Sequence, residues 1–521
     1  MEHVGYDIEG GDYRAAGAAS RAVKAHLKAI GARSDAIRRD MIAAYEAEMN
    51  VVIHAHRGRL EARFDDQRID VDVIDEGPGI PDVERALTPG WSTASPEARA
   101  LGFGAGLGLP NIRKNADTFA LESEVDKGTT VRFSVLLRPE LAVAQPVLSL
   151  AVNAELCRDC RRCLTACPTG AMRVRGGVPS VLAHLCVDCT CCIAVCDTGA
   201  LGLTATAPDA ERLGAVALTV PPAFLAGFGE RIAAASVSAA LTEAGFTEVR
   251  TIDAFEDALR HEVVARAAAD ERPRPVLSPV CPSVVDLIEL RFPSLISHLA
   301  PFASPWESLA AASSGSDAAY VVSCPGQRSA LAARGVDAAS RAIEPGLLRD
   351  LALSRLAGRQ SDAAAPPAAG ATDDGVLRVT GIAHVIAVLE QIEDGLLTAP
   401  LAIEPYVCDG GCFGSPLLTD DPHLSRERWP AAAGPAAAGP VASAPTVAAP
   451  LAPFAARPGI RLDADMAKAI QKLARLDAVR RELPGKDCGA CGAPTCAALA
   501  EDVVLERADV TLCPYRSTDG G

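Results

Sequence analysis

Seventeen cysteines mark this chain, and sixteen of them fall into four sets whose spacing suits thiolate ligands. Two sets repeat one pattern: Cys157-x-x-Cys160-x-x-Cys163-x-x-x-Cys167 is followed by Cys186-x-x-Cys189-x-x-Cys192-x-x-x-Cys196. The third set is scattered as Cys281, Cys324, Cys408 and Cys412, and the fourth comprises Cys488, Cys491, Cys496 and Cys513. Soft thiolates at such short intervals can surround an iron–sulfur cube, whereas a zinc site needs only four ligands per ion and rarely shows a duplicated run. Disulfides are the other outlet for so many cysteines, but a reducing cytosol makes metal ligation the better account of these spacings. Cys191 falls outside the pattern and reads as a spare or buried thiol, with a redox role as the alternative.

A second group of residues lies upstream. Glu46-x-x-x-Asn50 precedes three glycine boxes: Asp75-Glu-Gly77-Pro-Gly79, then Gly102-Phe-Gly104-Ala-Gly106-Leu107-Gly108-Leu, then Gly128-Thr129-Thr130. Four boxes in this order and spacing make residues 1 to 140 resemble the GHKL ATPases, specifically the small serine-kinase branch that acts as anti-sigma regulatory factors. The resemblance implies ATP and magnesium as ligands. Asp75 would accept a hydrogen bond from the adenine amino group, with Gly77 and Gly79 allowing the base to approach. Asn50, one helical turn after Glu46, would present its amide oxygen to magnesium, and Glu46 would take the proton of the attacking hydroxyl. Backbone amides of Gly104, Gly106, Leu107 and Gly108 would wrap the phosphates as a lid, and Thr129 would add a hydroxyl. The plainer alternative makes Glu46 and Asn50 a solvated helix face and the glycines turns.

The duplicated cysteine run resembles a two-cluster ferredoxin. In that family the fourth cysteine of each run serves the other cluster. One cube would take Cys157, Cys160, Cys163 and Cys196, the other Cys186, Cys189, Cys192 and Cys167. Asp197 stands where the first run has Pro168, a small departure. The segments Leu277-Ser-Pro-Val-Cys281-Pro, Val322-Ser-Cys324-Pro and Tyr406-Val-Cys408-Asp-Gly-Gly-Cys412 resemble the C-terminal catalytic domain of iron-only hydrogenases, which implies a cube on Cys281, Cys324, Cys408 and Cys412. The departures there bear on function. Val280 replaces a proton-relaying cysteine, Gln327 replaces a lysine that anchors a diatomic ligand, and Phe-Gly-Ser-Pro follows Cys412. They argue against an active hydrogenase and for a sensor or electron acceptor, with a fold holding no cluster as the alternative. The last set, Cys488-Gly-Ala-Cys491-Gly-Ala-Pro-Thr-Cys496 with Cys513-Pro514, looks like the four-cysteine domain of electron-bifurcating and corrinoid-pathway proteins, and a zinc knuckle is its rival. Two 4Fe-4S clusters, and up to four, are expected.

These groups need several domains to position them, since 521 residues exceed one hydrophobic core. The expected fold is multidomain α+β and α/β. It comprises a GHKL (Bergerat) ATPase sandwich at 1–140, a two-cluster ferredoxin fold at 148–205 and a hydrogenase-like α/β domain at 210–425. An Ala/Pro-rich linker at 430–459, read as an extended tether, and a small C-terminal Fe-S unit at 463–516 complete it. In the first domain one amphipathic stretch runs from Tyr13 to His54, and alternating segments lie near Arg59–Phe64, Ile69–Ile74 and Thr130–Leu137. Val216–Val220 and Ala319–Val322 read as strands, and 361–375 as an exposed loop. With 66 acidic against 50 basic residues the net charge is -16, which repels polyphosphate backbones and argues against nucleic acid as a partner. With no apolar run suited to a membrane and no basic leader at Met1, a soluble, cytoplasmic protein is expected. The joint reading is a redox- or hydrogen-responsive regulator in which clusters govern an ATP-dependent protein serine kinase. Its partners would be a protein substrate or antagonist of the anti-anti-sigma type and an electron donor or acceptor protein. An oxidoreductase gated by ATP and a non-catalytic sequestering regulator are the rivals.

Overall fold

The computed structural model describes residues 2–32, 34–65, 68–88, 90–93, 106–137, 149–203, 216–228, 232–269, 273–313, 318–337, 341–357, 375–418, 421–433, 445–457, 459–460, 462–463 and 465–516. They form two compact units, one of residues 1–144, 458–491 and 495–521, the other of 145–457 and 492–494.

In the first unit, strands β1 (Glu2–Glu9), β2 (Arg57–Phe64), β3 (Arg68–Asp75), β4 (Thr118–Glu124) and β5 (Gly128–Leu136) make an antiparallel sheet in the order β1-β2-β3-β5-β4. Strand alternation sets its faces: Leu60, Ala62 and Phe64 of β2, Ile69, Val71 and Val73 of β3, and Val131, Phe133 and Val135 of β5 are all buried. The stretch expected as one helix is two, Ala18–Ala29 and Ser34–His54. Gly31, at φ +77°, ends the first, and Ile30, Gly31 and Ala32 return their N–H groups to the carbonyls of His26, Lys28 and Leu27. The first helix has no side-chain cap of its own, and Gly17 at its start is left-handed. Glu48, on the second helix and almost fully buried, supplies the cap: Oε1 accepts from Ala19 N at 3.1 Å and Oε2 from Ser20 N at 2.9 Å. Strands β1 and β4 alternate only briefly, at Val4, Tyr6 and Ile8 and at Phe119 and Leu121, and the sequence reading did not include them.

The same unit contains helix Met466–Glu482, which buries Ala469, Leu473, Leu476 and Val479 at helical spacing and packs on β1, on helix Ala18–Ala29 and on helix Cys496–Val504.

In the second unit, two antiparallel ribbons carry the duplicated cysteine runs: β6 (Leu150–Val152) with β9 (Leu201–Leu203), and β7 (Met172–Arg175) with β8 (Val178–Val181). Beyond them lie two parallel sheets. One has the order β11-β10-β13-β14, from β10 (Ala217–Val220), β11 (Glu248–Thr251), β13 (Ala318–Val321) and β14 (Ala342–Ile343). The other has the order β12-β16-β15, from β12 (Val276–Leu277), β15 (Val376–Thr380) and β16 (Ala402–Tyr406). The strand runs expected at 216–220 and 319–322 are β10 and β13. The loop expected at 361–375 falls almost wholly outside the described residues. The expected tether behaves differently over 445–457, where it is strapped to its own unit. Ala303 N donates to Ala448 O at 2.9 Å, Phe454 packs on an apolar cluster, and Arg457 N donates to Glu289 O at 2.8 Å.

One buried group opposes the fold. Asp40, on helix Ser34–His54, is wholly buried with neither carboxylate oxygen hydrogen-bonded, and burial pushes its pKa up to about 7. A raised acid pKa means that the folded state prefers the proton, so stability should fall as pH rises from about 4 to about 7 and level off above. Asp40→Asn should remove that dependence and stabilise the first unit at pH 8 by several kcal/mol, ~4 as an upper figure. Thermal unfolding from pH 4 to 8 measures it, and parallel profiles for both proteins would refute it.

Candidate functional site

Helix Ser34–His54, the ends of β3 and β5, Trp91 to Thr93 and the chain from Gly106 to Asn111 line a cavity of about 550 Å³ in the first unit. Glu46, Asn50, Asp75, Gly79, Gly106, Leu107, Gly108 and Thr129 all line it, so these expected site residues come together from four separated stretches. Gly77 lies beside Asp75, whereas Gly104 falls outside the described residues. The i, i+4 spacing puts Glu46 and Asn50 on the cavity face of the helix. Glu46 Oε1 accepts from Asn111 Nδ2 at 2.7 Å, and Asn50 Nδ2 is buried without a hydrogen-bond partner. Asp75 Oδ1 accepts from Thr129 N at 3.2 Å. Burial raises the Asp75 pKa, opposed by the Thr129 and Gly77 N–H groups.

Glycine is required at several of these points. A Cβ on Gly108 would stand 3.1 Å from Asn50 Oδ1 and 3.3 Å from Glu46 Oε2, so the chain there lies tight against both side chains. Gly79, at φ +70°, would meet Glu124 O at 2.2 Å, and Gly128, at φ +102°, would meet Asp75 O at 2.0 Å. The cradle therefore has a carboxylate at one side, a carboxylate–amide pair at the other and exposed backbone between, a donor set that fits a nucleotide with magnesium. Sequence reasoning missed Asn111, which holds Glu46, and His54 and Trp91, which also line the cavity. Asn111 had a signal: it stands one helical turn after Gly108 in helix Gly108–Asn115.

The cysteines of the second unit are gathered as sets. Cys167, Cys186, Cys189 and Cys192 line one small cavity, and Cys281, Cys324, Cys408 and Cys412 line another, which Cys189 and Thr190 also border. Burial pushes the Cys163 thiol up to about 11, and Cys160, Cys157 and Cys196 add to the rise. The geometry thus sets Cys196 beside the first run and Cys167 beside the second. Both runs turn identically. Asp159 and Arg161 flank Cys160 at φ 55° and 61°, and Asp188 and Thr190 flank Cys189 at φ 50° and 65°. Asp487 and Gly489 flank Cys488 at φ 46° and 70° in the first unit. Left-handed backbone on both sides of a thiol costs about 1 kcal/mol per non-glycine residue, and it turns successive N–H groups toward one concave side that favours anions. Aspartate before the cysteine, in all three turns, is the sequence signal for it, since aspartate tolerates this region. Among the described residues no group of three or more His, Cys, Asp or Glu side chains is drawn to the spacing of a single metal ion.

At the third set, Gln327 is buried and committed. Its Oε1 accepts from Ser323 N at 2.7 Å, and its Nε2 stands 3.8 Å from Cys412 Sγ. Val280 belongs to an apolar cluster with Leu259, Ala300 and Tyr406. Glu256, unforeseen in the sequence, borders the same cavity, its pKa raised to about 7 by burial and by Asp253, Asp257 and Glu404.

An antiparallel sheet under two helices, with this cradle at its edge and cysteine-rich modules downstream, defines a histidine-kinase-like ATPase domain joined to iron–sulfur and hydrogenase-like domains. The family comparisons agree. The histidine kinase-like ATPase domain matches residues 11–135, and the 4Fe-4S binding domain matches 150–172. The C-terminal domain of the iron only hydrogenase large subunit matches 214–323, and an Fe-S cluster domain matches 483–515. The hydrogenase match holds Cys281 and ends one residue before Cys324. Over 97 residues the chain is 37% identical to the Anti-sigma F factor of Caldanaerobacter subterraneus subsp. tengcongensis, covering 18% of this chain and 64% of that one. It is 31% identical over 97 residues to the Serine/threonine-protein kinase RsbT of Bacillus subtilis, covering 18% and 67%. Through its N-terminal domain the chain belongs to the anti-sigma factor and serine-kinase family of histidine-kinase-like ATPases. It spans just under two thirds of the length of the anti-sigma F factors that it matches. Among solved structures, an FeFe-hydrogenase from Chlamydomonas reinhardtii aligns at 16% identity and TM-score 0.28, covering 43% of this chain and 87% of that one. No described helix is long and apolar enough to cross a membrane.

Gly128→Ala should cost about 1–3 kcal/mol and pull Thr129 N away from Asp75, because the added Cβ meets Asp75 O in a left-handed backbone. A lowered melting temperature and weakened nucleotide binding are expected, and a native value for both would contradict the close-approach argument.

Proposed function

We propose that this protein is a redox-responsive regulator whose iron–sulfur clusters govern an ATP-dependent serine kinase of the anti-sigma type. One observation carries the reading. Helix Met466–Glu482, which runs directly toward Cys488, packs on β1 and on helix Ala18–Ala29, within the compact unit that holds the nucleotide cavity. A cysteine unit built to hold a cluster and an ATP pocket therefore share one core.

In this reading Asp75 accepts a hydrogen bond from the adenine amino group through a carboxylate that Thr129 N orients. Asn50 offers its amide oxygen to magnesium, and the backbone of Gly106, Leu107 and Gly108 faces the phosphates. Glu46, steered by Asn111, takes the proton of the attacking serine hydroxyl. Magnesium, when bound, neutralises phosphate charge. The partner is a protein of the anti-anti-sigma type, with a serine to accept phosphate. The clusters, when bound, exchange single electrons. Cys157, Cys160, Cys163 and Cys196 hold one, and Cys167, Cys186, Cys189 and Cys192 the second. Cys281, Cys324, Cys408 and Cys412 hold a third, and Cys488, Cys491, Cys496 and Cys513 the fourth. Cys160, exposed at the protein surface, is the point where an electron-transfer partner reaches the array.

A second reading, an oxidoreductase gated by ATP, gains support from Cys189, which borders the cavities of both the second and third sets. Val280, in an apolar cluster, relays no proton, and Gln327, tied to Ser323, carries no cation to anchor a diatomic ligand, so both weigh against hydrogen turnover. Hydrogen-dependent dye reduction would favour this rival.

The deciding measurement is transfer of labelled phosphate to a candidate protein serine, in air-oxidised and dithionite-reduced protein. The rates should differ between the two states, and Glu46→Gln should lower transfer by ~100-fold or more in both. Equal rates in both states would end the redox reading, while partner binding that survives Glu46→Gln with no transfer in the wild type would favour sequestration. For the clusters, Cys167→Ser should remove the signal of the second ferredoxin cluster from the electron paramagnetic resonance spectrum and about four irons per chain. Loss of the first cluster instead would show the ligation to be uncrossed.

A further inference from the structure

The catalytic helix is gripped on two faces. Glu46 and Asn50 look into the cavity, and Glu48, on the opposite side of the same turn, clasps the N-terminus of helix Ala18–Ala29 through Ala19 N and Ser20 N. That helix has 12 residues, so it is about 18 Å long. Its last turn carries His26, and there the cluster-bearing helix Met466–Glu482 meets it. Asp477 and Arg480 of that helix act electrostatically on His26 and on Tyr6 of β1. His26 is mostly enclosed, with Nδ1 lacking a hydrogen bond, and its ring lies 6.0 Å from that of Phe64. Helix Met466–Glu482 in turn packs on helix Cys496–Val504, whose first residue is a cysteine of the fourth set, and leads through Leu483 to Cys488.

We propose that helix Ala18–Ala29 is a lever joining the C-terminal cysteine unit to the catalytic carboxylate, with Glu48 as the positioning residue that makes the joint. The carboxylate is almost fully buried, and its bonds go to helix-terminal N–H groups that no side-chain cap satisfies at that end. Sliding or tilting the lever without moving Glu48 would leave a buried carboxylate and two buried N–H groups unpaired, which desolvation makes unfavourable. Helix and carboxylate therefore move together. Glu48 is two residues from Glu46 and from Asn50, so its displacement re-aims both cavity groups. Reciprocity requires that nucleotide closing on Glu46 and Asn50 be felt at helix Met466–Glu482. The coupling rests on the proposed function only for its physiological input, the redox state of the C-terminal unit.

Amide hydrogen exchange on the full chain, with clusters kept oxidised, tests the joint apart from that input. A non-hydrolysable ATP analogue with magnesium should slow exchange across residues 466–482 by at least about fivefold in the wild type. Glu48→Gln, which keeps the shape but loses one acceptor oxygen, should bind the analogue within about threefold of the wild type and lose that protection. Arg480→Ala, an exposed substitution at the far end of the lever, should weaken the same protection, and it decides the matter if Glu48→Gln does not fold. No protection in the wild type, or full protection in both variants, overturns the lever. Equal ATP turnover in oxidised and reduced protein would overturn the redox reading while leaving this exchange result standing.

Discussion

Crowding thiols together inside a protein is unfavourable to their charged form, and much of this structure follows from that constraint. Burial and neighbouring cysteines push the thiols of Cys163, Cys192, Cys408 and Cys412 up, so without a cation these groups keep their protons. A metal cluster reverses that preference, and the backbone is shaped to help it. Three turns hold a cysteine between two left-handed residues, which points N–H groups where sulfur charge would lie. Thr169 and Thr198, each two residues after the last cysteine of a run, place a hydroxyl 3.6 Å from that sulfur. The ribbons and short helices around the two runs serve mainly to hold these turns.

The histidine-kinase-like ATPase domain meets a different constraint, the close approach of backbone segments to one another around an open cradle. Gly79 and Gly128 stand where any side chain would strike another segment's carbonyl, and Gly108 lies tight against Glu46 and Asn50 of helix Ser34–His54. Around that open cradle the carboxylates are held from outside: Asp75 by Thr129, Glu46 by Asn111. Helix Ser34–His54 also bears two carboxylates with no cationic partner among the described residues, Asp40 without any bond and Glu48 with helix N–H groups. The first destabilises the helix at neutral pH, and the second ties it to its neighbour.

The hydrogenase-like region keeps four cysteines around one cavity while its surroundings have turned to packing. Val280 fills apolar space, and Gln327 binds the chain at Ser323 and approaches Cys412. Glu404, nearby, is buried between Arg260 and Arg378, a network that fixes β16 just before Cys408 and Cys412.

Much of the chemistry was legible in the residues alone. Thiolate spacing, the order of the glycine boxes and the Glu46–Asn50 pair are local patterns, and local patterns survive in a one-dimensional chain because backbone geometry fixes what residues three or four apart can reach. The break at Gly31 was not seen, because helical periodicity continues across it, and β1 and β4 were missed because their apolar alternations cover only three and two residues, Val4, Tyr6 and Ile8 in one and Phe119 and Leu121 in the other. The pairing of Glu46 with Asn111, the clasp of Glu48 on Ala19 and Ser20, and the docking of the Ala/Pro-rich strap through Arg457 join residues far apart in the chain. Composition alone made that strap an extended, semi-rigid tether. Sequence by itself determined which side chains could do chemistry and what that chemistry would be. Tertiary structure alone decided which of them meet, because burial, and not spacing, selects the partners of a carboxylate that has lost its water.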